Sequence, residues 1–476
     1  MQLGSRGLVA AIATLGLAGL FVSSTVSQAP GDTPVLPGHI DQSQIENNRY
    51  SLADLVNFGR FLFTAKFNKL DGFGRPAATG DGNPTKRIPD SAPFMIRTSG
   101  PDAGSCASCH NDPEAGGSGD FVANVFVLAQ VRDPVVESIS SEFSNERNTL
   151  GMHGSGAIEM LAREMTADMH AIRADAIAAA KRTGQPVTRE LRTKDVYFGK
   201  ITAKPDGSVD TSQVEGVDPD LIIKPFHQKG VVNSVRVFTV NAFNHHHGMQ
   251  AVERFGMQRT GEADFDEDGV TDELSVGDIT AATIFQVALA IPQQVMPKKG
   301  SEIASVVRGQ NLFEQIGCAD CHRPALILNN PVYSEPNPYN PPGNLRPQDV
   351  RRSFQLDLTK QGLGNRLERL PGGKAIVRAY TDLKRHVICD EQDPFFANER
   401  LVQGGVPLDQ FITRKLWDVG NSGPWGHRGD CMSIGEAIVH HAGEARPSRE
   451  KYLALTEQQR RDIVNFLKTL QVVPPR

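Results

Sequence analysis

Aromatic residues make up only 7 % of this 476-residue chain, and its two tryptophans, Trp417 and Trp425, both fall late in it. Cysteine is scarcer, at six residues. So few over this length do not form the dense disulfide framework of a small secreted domain. An excess of either charge is also missing. Lys and Arg total 50 against 55 for Asp and Glu, a net charge of −5. That balance gives no electrostatic case for binding nucleic acid or an anionic membrane. Beyond Phe21, no apolar run approaches the ~18 residues that would suggest a membrane span. The hydrophobic fraction, 39 %, is low, yet a chain this long can still bury a core. Glycine and proline are plentiful, at 45 and 30. They indicate a loop-rich globular protein, neither fibrous nor disordered. At about 150 residues per domain, the length suggests two or three domains.

Residues 1–29 read as a secretory signal peptide. Arg6 supplies the positive start, Gly7 to Phe21 is an apolar run, and Ser27-Gln28-Ala29 resembles a small-residue cleavage site. The alternative is a membrane anchor, for which about 15 apolar residues is short of the roughly 20 required. The expectation is therefore an exported, periplasmic protein with no integral membrane span after signal removal.

Four of the six cysteines fall in two identical patterns. Cys106-Ala107-Ser108-Cys109-His110 and Cys318-Ala319-Asp320-Cys321-His322 are both C-x-x-C-H, the attachment motif of c-type haem. The chemistry needs that spacing: two thiols reach the two vinyl groups of one haem, and the next imidazole meets the iron. A zinc knuckle or a redox cysteine pair are the alternatives. Zinc would want further Cys or His close by, and a redox pair has no use for the histidine that follows both motifs. Two covalent haems are therefore expected. Ser301 to Ile316 is a helical pattern ending at Gly317, which delivers the chain to the second motif. Thr456-x-x-Gln459 is a capping box opening a last helix with Ile463, Phe466, Leu467 and Leu470 on one face. Leu52 to Phe63 is a similar run-up to the first motif, separated from it by a Gly/Pro-rich stretch.

These features resemble the bacterial di-haem oxidoreductases related to cytochrome c peroxidases. Gly59-Arg60-Phe61-Leu62-Phe63 and Phe67 to Gly74 look like that family's approach to its first haem, and Gly116-Gly117-Ser118-Gly119 follows as in the family. Arg147-Asn148-Thr149 resembles its "RNTP" turn, with Leu150 in place of the proline. Gly426-His427-Arg428-Gly429 resembles an "FHDG" element, and Ile434 to Ala445 resembles a helix carrying a distal axial ligand. The resemblance implies a mainly α fold of two cytochrome c-like haem domains with long loops and irregular insertions. The expected division is 30–225 for the first haem domain, 226–300 for an insert, and 301–476 for the second. It implies that one haem handles electrons while the other keeps an open or exchangeable position for peroxide. The partners it implies are hydrogen peroxide and a small electron-donor protein, a cytochrome or cupredoxin; a homodimer is a further assembly to consider.

On the same resemblance His441 is expected as the distal ligand of the second haem, with His440 as the alternate. For the first haem, the segment Phe121 to Gln130 lacks the displaceable histidine of the peroxidases. His153 is then the nearest distal ligand or hydrogen-bond partner. Glu159, on a helix expected over Ala157 to Arg182, is expected to move a proton between the peroxide oxygens; a solvated helix position is the alternative. His245-His246-His247 reads either as surface polarity or as a lining of the haem cleft. Where the family has a Met-Gly pair after His386, this chain has Val387-Ile388-Cys389, which puts a Met ligand in doubt. Trp417 and Trp425 come too late to match the family's tryptophan between the haems, and packing on the second haem is expected of them.

Asp264-x-Asp266-x-Asp268-Gly269-x-x-Asp272 follows the opening of a calcium loop. Its twelfth position is Ser275 and not Glu, leaving Glu273 or Asp278 to substitute; a solvated acidic loop is the alternative. Cys389 and Cys431 are expected to pair as a disulfide. Three functions compete: a di-haem peroxidase, a peroxide-dependent modifier of a partner protein, and an electron-transfer cytochrome without catalysis.

Overall fold

In a computed structural model, the chain is described for residues 33–74, 103–120, 122–126, 144–266 and 268–474. The expected signal segment, residues 1–29, lies outside them. Helix Leu52–Thr64 opens with a capping box between Ser51 and Asp54. Its buried face, Leu55, Val56, Gly59, Leu62 and Phe63, packs against helix Val276–Ala288. Gly59 allows that close approach, because a Cβ there would stand 2.1 Å from the Ala281 carbonyl oxygen. Helix Val276–Ala288 also opens with a capping box, Ser275 with Asp278, and is buried on almost every side. The Asp278 carboxylate further accepts from His39 Nδ1 at 2.6 Å and from the Ile40 N–H at 2.9 Å. It therefore ties the N-terminal segment to the helix.

Helix Ser155–Thr183 stops at Gly184, whose φ of 68° is left-handed. It packs on a three-stranded antiparallel sheet of Val187–Thr193, Val196–Ala203 and Val209–Asp210. Helix Val235–Ala242 runs on into one π-helical turn, Phe243–His247, closed by Gly248 at φ 71°. Towards the C-terminus, helices Gly300–Gln315 and Glu457–Lys468 pack together. Between them lie short ribbons: Val332–Glu335 with Phe354–Asp357, Leu326–Leu328 and Glu368–Arg369 flanking Ala375–Val377, and Arg385–Val387 with Gln410–Ile412.

The mainly α expectation is corrected by these ribbons. Among the described residues 38 % are helical and 15 % are strand, with several sheets, and no cytochrome c-like haem-domain fold stands out. Apart from Val187–Thr193 and Val196–Ala203, the strands are five residues or fewer, down to two in Val209–Asp210, which leaves little period-2 alternation to read. The largest core draws on residues from Ile40 to Trp417. A second, smaller core gathers Val306, Phe313, Ile316, Tyr380, Ile463 and Phe466. Among the described residues no helix is long and apolar enough to cross a membrane. The expected Cys389–Cys431 disulfide is not formed. Both are free buried thiols in one apolar cluster with Phe396 and Phe411, and the Cys389 thiol faces the Asp409 carbonyl at 3.6 Å.

Candidate functional site

The first C-x-x-C-H motif folds as a single tight turn, Cys106–Ser108, in which the His110 N–H donates to the Cys106 carbonyl at 3.0 Å. The chain then doubles back so that His110 Nδ1 meets the Gly117 carbonyl at 3.3 Å. Glycine is required on this return: a Cβ at Gly119 would lie 2.0 Å from the Cys109 carbonyl oxygen. With Nδ1 donating to a carbonyl, Nε2 is the nitrogen left to bind a metal. Burial pushes His110 down to about 4, so it is neutral and ligand-ready near pH 7. Cys106, Cys109 and His110 line one cavity. Its other walls include Phe63, Arg147, His227, Phe238, Phe243, His246 and Gln286.

The second motif is built the same way. Gly317, at φ 94°, turns the chain out of helix Gly300–Gln315 into the turn Cys318–Asp320. His322 Nδ1 meets the Tyr380 carbonyl at 3.1 Å. A second imidazole faces it: His441, whose Nδ1 meets the Ala437 carbonyl at 2.7 Å. The two ring centroids are 6.5 Å apart, close to the roughly 6 Å expected when two imidazoles share one metal through bonds of about 2 Å. Burial lowers both, His322 to about 4. His440 turns elsewhere and stacks on Phe395, with centroids 3.6 Å apart.

The residues present therefore suit a c-type haem at each motif. They suit the alternatives less well. Burial pushes the Cys106 and Cys318 thiols up to about 12, whereas a redox-active cysteine is held low. Cys321, Asp382 and His386 bring ligand atoms within 4.8 Å of one another. His386, however, has both nitrogens engaged by carboxylates, Asp382 at 2.8 Å and Glu444 at 2.7 Å.

The two acid–base candidates of the first haem lie elsewhere. Glu159 is fully buried, paired with Arg163, and accepts from the Val235 N–H at 2.7 Å and the Asn337 amide at 2.9 Å. It holds a helix start and is not on the cavity wall. His153 is also fully buried; its Nδ1 meets the Ala290 carbonyl at 3.2 Å and its Nε2 lies 3.8 Å from Glu114. Its neighbours Leu150 and Met152 reach the cavity, and it does not. His227 does line the cavity, and no motif marked it out. His246 had a signal, a histidine run between Phe243 and Gly248.

In the acidic loop, carboxylate oxygens of Asp264, Asp266 and Asp268 come within 4.8 Å of one another, with Asp272 outside that group. Ser275 and Asp278 belong to the helix cap instead, and Glu273 accepts from the Gln250 N–H at 2.8 Å. Trp425 packs with the second core and donates to the Val419 carbonyl at 3.2 Å. Trp417 lies in the larger core, against Gly154.

No protein-family model and no curated protein matches the chain. Among solved structures it is similar to hydrazine synthase from Kuenenia stuttgartiensis, pressurized with 20 bar xenon, at 14 % identity and a TM-score of 0.38, over 98 % of this chain and 100 % of that one.

Proposed function

We propose that this chain is an exported di-haem c-type oxidoreductase that reduces hydrogen peroxide with electrons from a small donor protein. The observation that carries the reading is the asymmetry of its two C-x-x-C-H sites. At the second, the ring centroids of His322 and His441 lie 6.5 Å apart, so both imidazoles would hold one haem iron, which would supply electron transfer there. At the first, His110 opens on a cavity walled by Phe63, Arg147, His227 and His246, a wall that would enclose a haem and a small reactant beside it. When bound, the two haems would supply the electron storage that a two-electron reduction needs. The chain's own part is to orient three imidazoles through backbone carbonyls, to keep them neutral by burial, and to shield the first site with Phe63, Phe238 and Phe243. We place the protein in the periplasm, and calcium in the loop of Asp264, Asp266 and Asp268.

Absorption and EPR spectra of the oxidised protein test this directly. One low-spin bis-histidine signal and one haem that reacts with peroxide are expected. Two low-spin haems inert to peroxide would leave an electron-transfer cytochrome. Peroxide turnover with a small reduced cytochrome or cupredoxin then separates a peroxidase from a modifier of a partner protein.

A further inference from the structure

Among the described residues lining the first cavity there is no aspartate and no glutamate. The wall instead carries Arg147, His227 and His246, besides His110 and His247. Glu159 is committed to Arg163 and to the Val235 N–H, and Glu114 does not reach the wall. Peroxide cleavage needs a group that takes a proton from one oxygen and returns it to the other, within about 3 Å of both. A neutral imidazole, with one N–H and one lone pair, can do this.

His246 is the better placed of the two candidate histidines. It rides on the π-helical turn Phe243–His247, a kind of turn frequent at functional sites. The turn is pinned at both ends. Phe243 is buried in an apolar cluster, and His247 contacts the Ala103 carbonyl at 2.7 Å and Cys106 Sγ at 3.3 Å. His246 lines the same cavity as His110 and His227. His227 is drawn towards Gln403, 3.4 Å away, and lies against Phe238. Arg147, paired with Glu399 at 2.6 Å, sets a fixed cation on the same wall.

We infer that His246 is the acid–base residue of the first site, with His227 behind it and Arg147 as a fixed cation, in place of a carboxylate. This rests on the di-haem peroxidase reading. Overall, hydrogen peroxide takes two electrons from the donor protein and two protons from solvent and gives two water molecules. His246 accepts one proton from the near peroxide oxygen and returns it to the far one as the O–O bond breaks, so it ends unchanged.

The test uses the full haem-loaded chain with His246→Gln and His246→Ser, and with His245→Gln, on the same turn but off the wall, as control. Pyridine haemochrome counts the haems and EPR records the resting spin states. Cyanide titration reads the base without turnover, because hydrogen cyanide must give up its proton to bind as the anion. Both His246 variants are expected to keep two haems and the resting spectrum. They should bind cyanide about 10²-fold more weakly and lose roughly 10²–10⁴ in the rate of the peroxide-induced absorbance change, with His245→Gln unaffected. Wild-type cyanide affinity in both His246 variants overturns the inference. A change of resting spin state overturns it too, by making His246 an axial ligand. An unaltered chain carrying fewer than two covalent haems removes the di-haem reading itself, before any variant is made.

Discussion

His322, His441 and His110 share a device: each imidazole has its Nδ1 against a backbone carbonyl, those of Tyr380, Ala437 and Gly117. The ring orientation is thus set by main chain, which side-chain mutations elsewhere disturb little. His441→Ala should then leave both haems attached and convert one low-spin signal to high-spin; an EPR spectrum like that of the parent would count against the bis-histidine assignment. At this scale the two C-x-x-C-H turns were legible, because their residues are adjacent in the chain and each folds as one tight turn. Glu159 lies off the cavity wall for a physical reason. Arg163, four residues on, is its ion-pair partner on the same helix, and that neighbour was visible in the sequence. The place of His227 in the cavity could not be read, since it depends on packing between segments far apart in the chain.

Among the elements, the helices were legible and the strands were not. The helix expected over Ala157 to Arg182 spans Ser155–Thr183, and the capping box at Thr456 opens Glu457–Lys468. In Gly300–Gln315 the apolar pattern overstated the buried face: Ile303 and Val307 are 37 % and 48 % exposed, while Gly309 does the packing. A Cβ at Gly309 would lie 1.9 Å from the Asp462 carbonyl oxygen. Gly59→Ala and Gly309→Ala should each cost about 1–3 kcal/mol through overpacking, measured as a fall in the urea midpoint. A melting curve unchanged in both would show that the helices separate easily. The N-terminal strap makes a pH prediction. His39 is raised above its ordinary 6.5, chiefly by its hydrogen bond to Asp278, with burial acting the other way. Its contribution is therefore present below pH 6.5 and lost as pH rises through the raised value. Hydrogen-exchange protection in residues 33–47, corrected for the intrinsic base-catalysed rate, should fall as pH rises above 6.5, and His39→Gln should remove that fall.

For the whole molecule, the acidic loop offers a ligand test. If Asp264, Asp266 and Asp268 hold calcium, the ion at a hundred times its Kd should add about 2.7 kcal/mol. The melting midpoint should rise with calcium and fall with a chelator, and Asp268→Asn should blunt both shifts. The larger architecture also sets an order of events. The walls of the first cavity come from Arg147, His227, His246 and Gln286 as well as from Cys106 to His110. A chain emerging N-terminus first exposes the first pair of thiols long before residues 227–286 are present to enclose them. The second site depends in the same way on His441, near the far end of the chain. On the di-haem reading proposed above, each haem would have a window for attachment while its thiols are open. That window would close from behind, when the downstream segment folds over the site. Slowing the folding of Val235–Ala242 or Val276–Ala288 should lengthen the window for the first haem and leave the second unaffected.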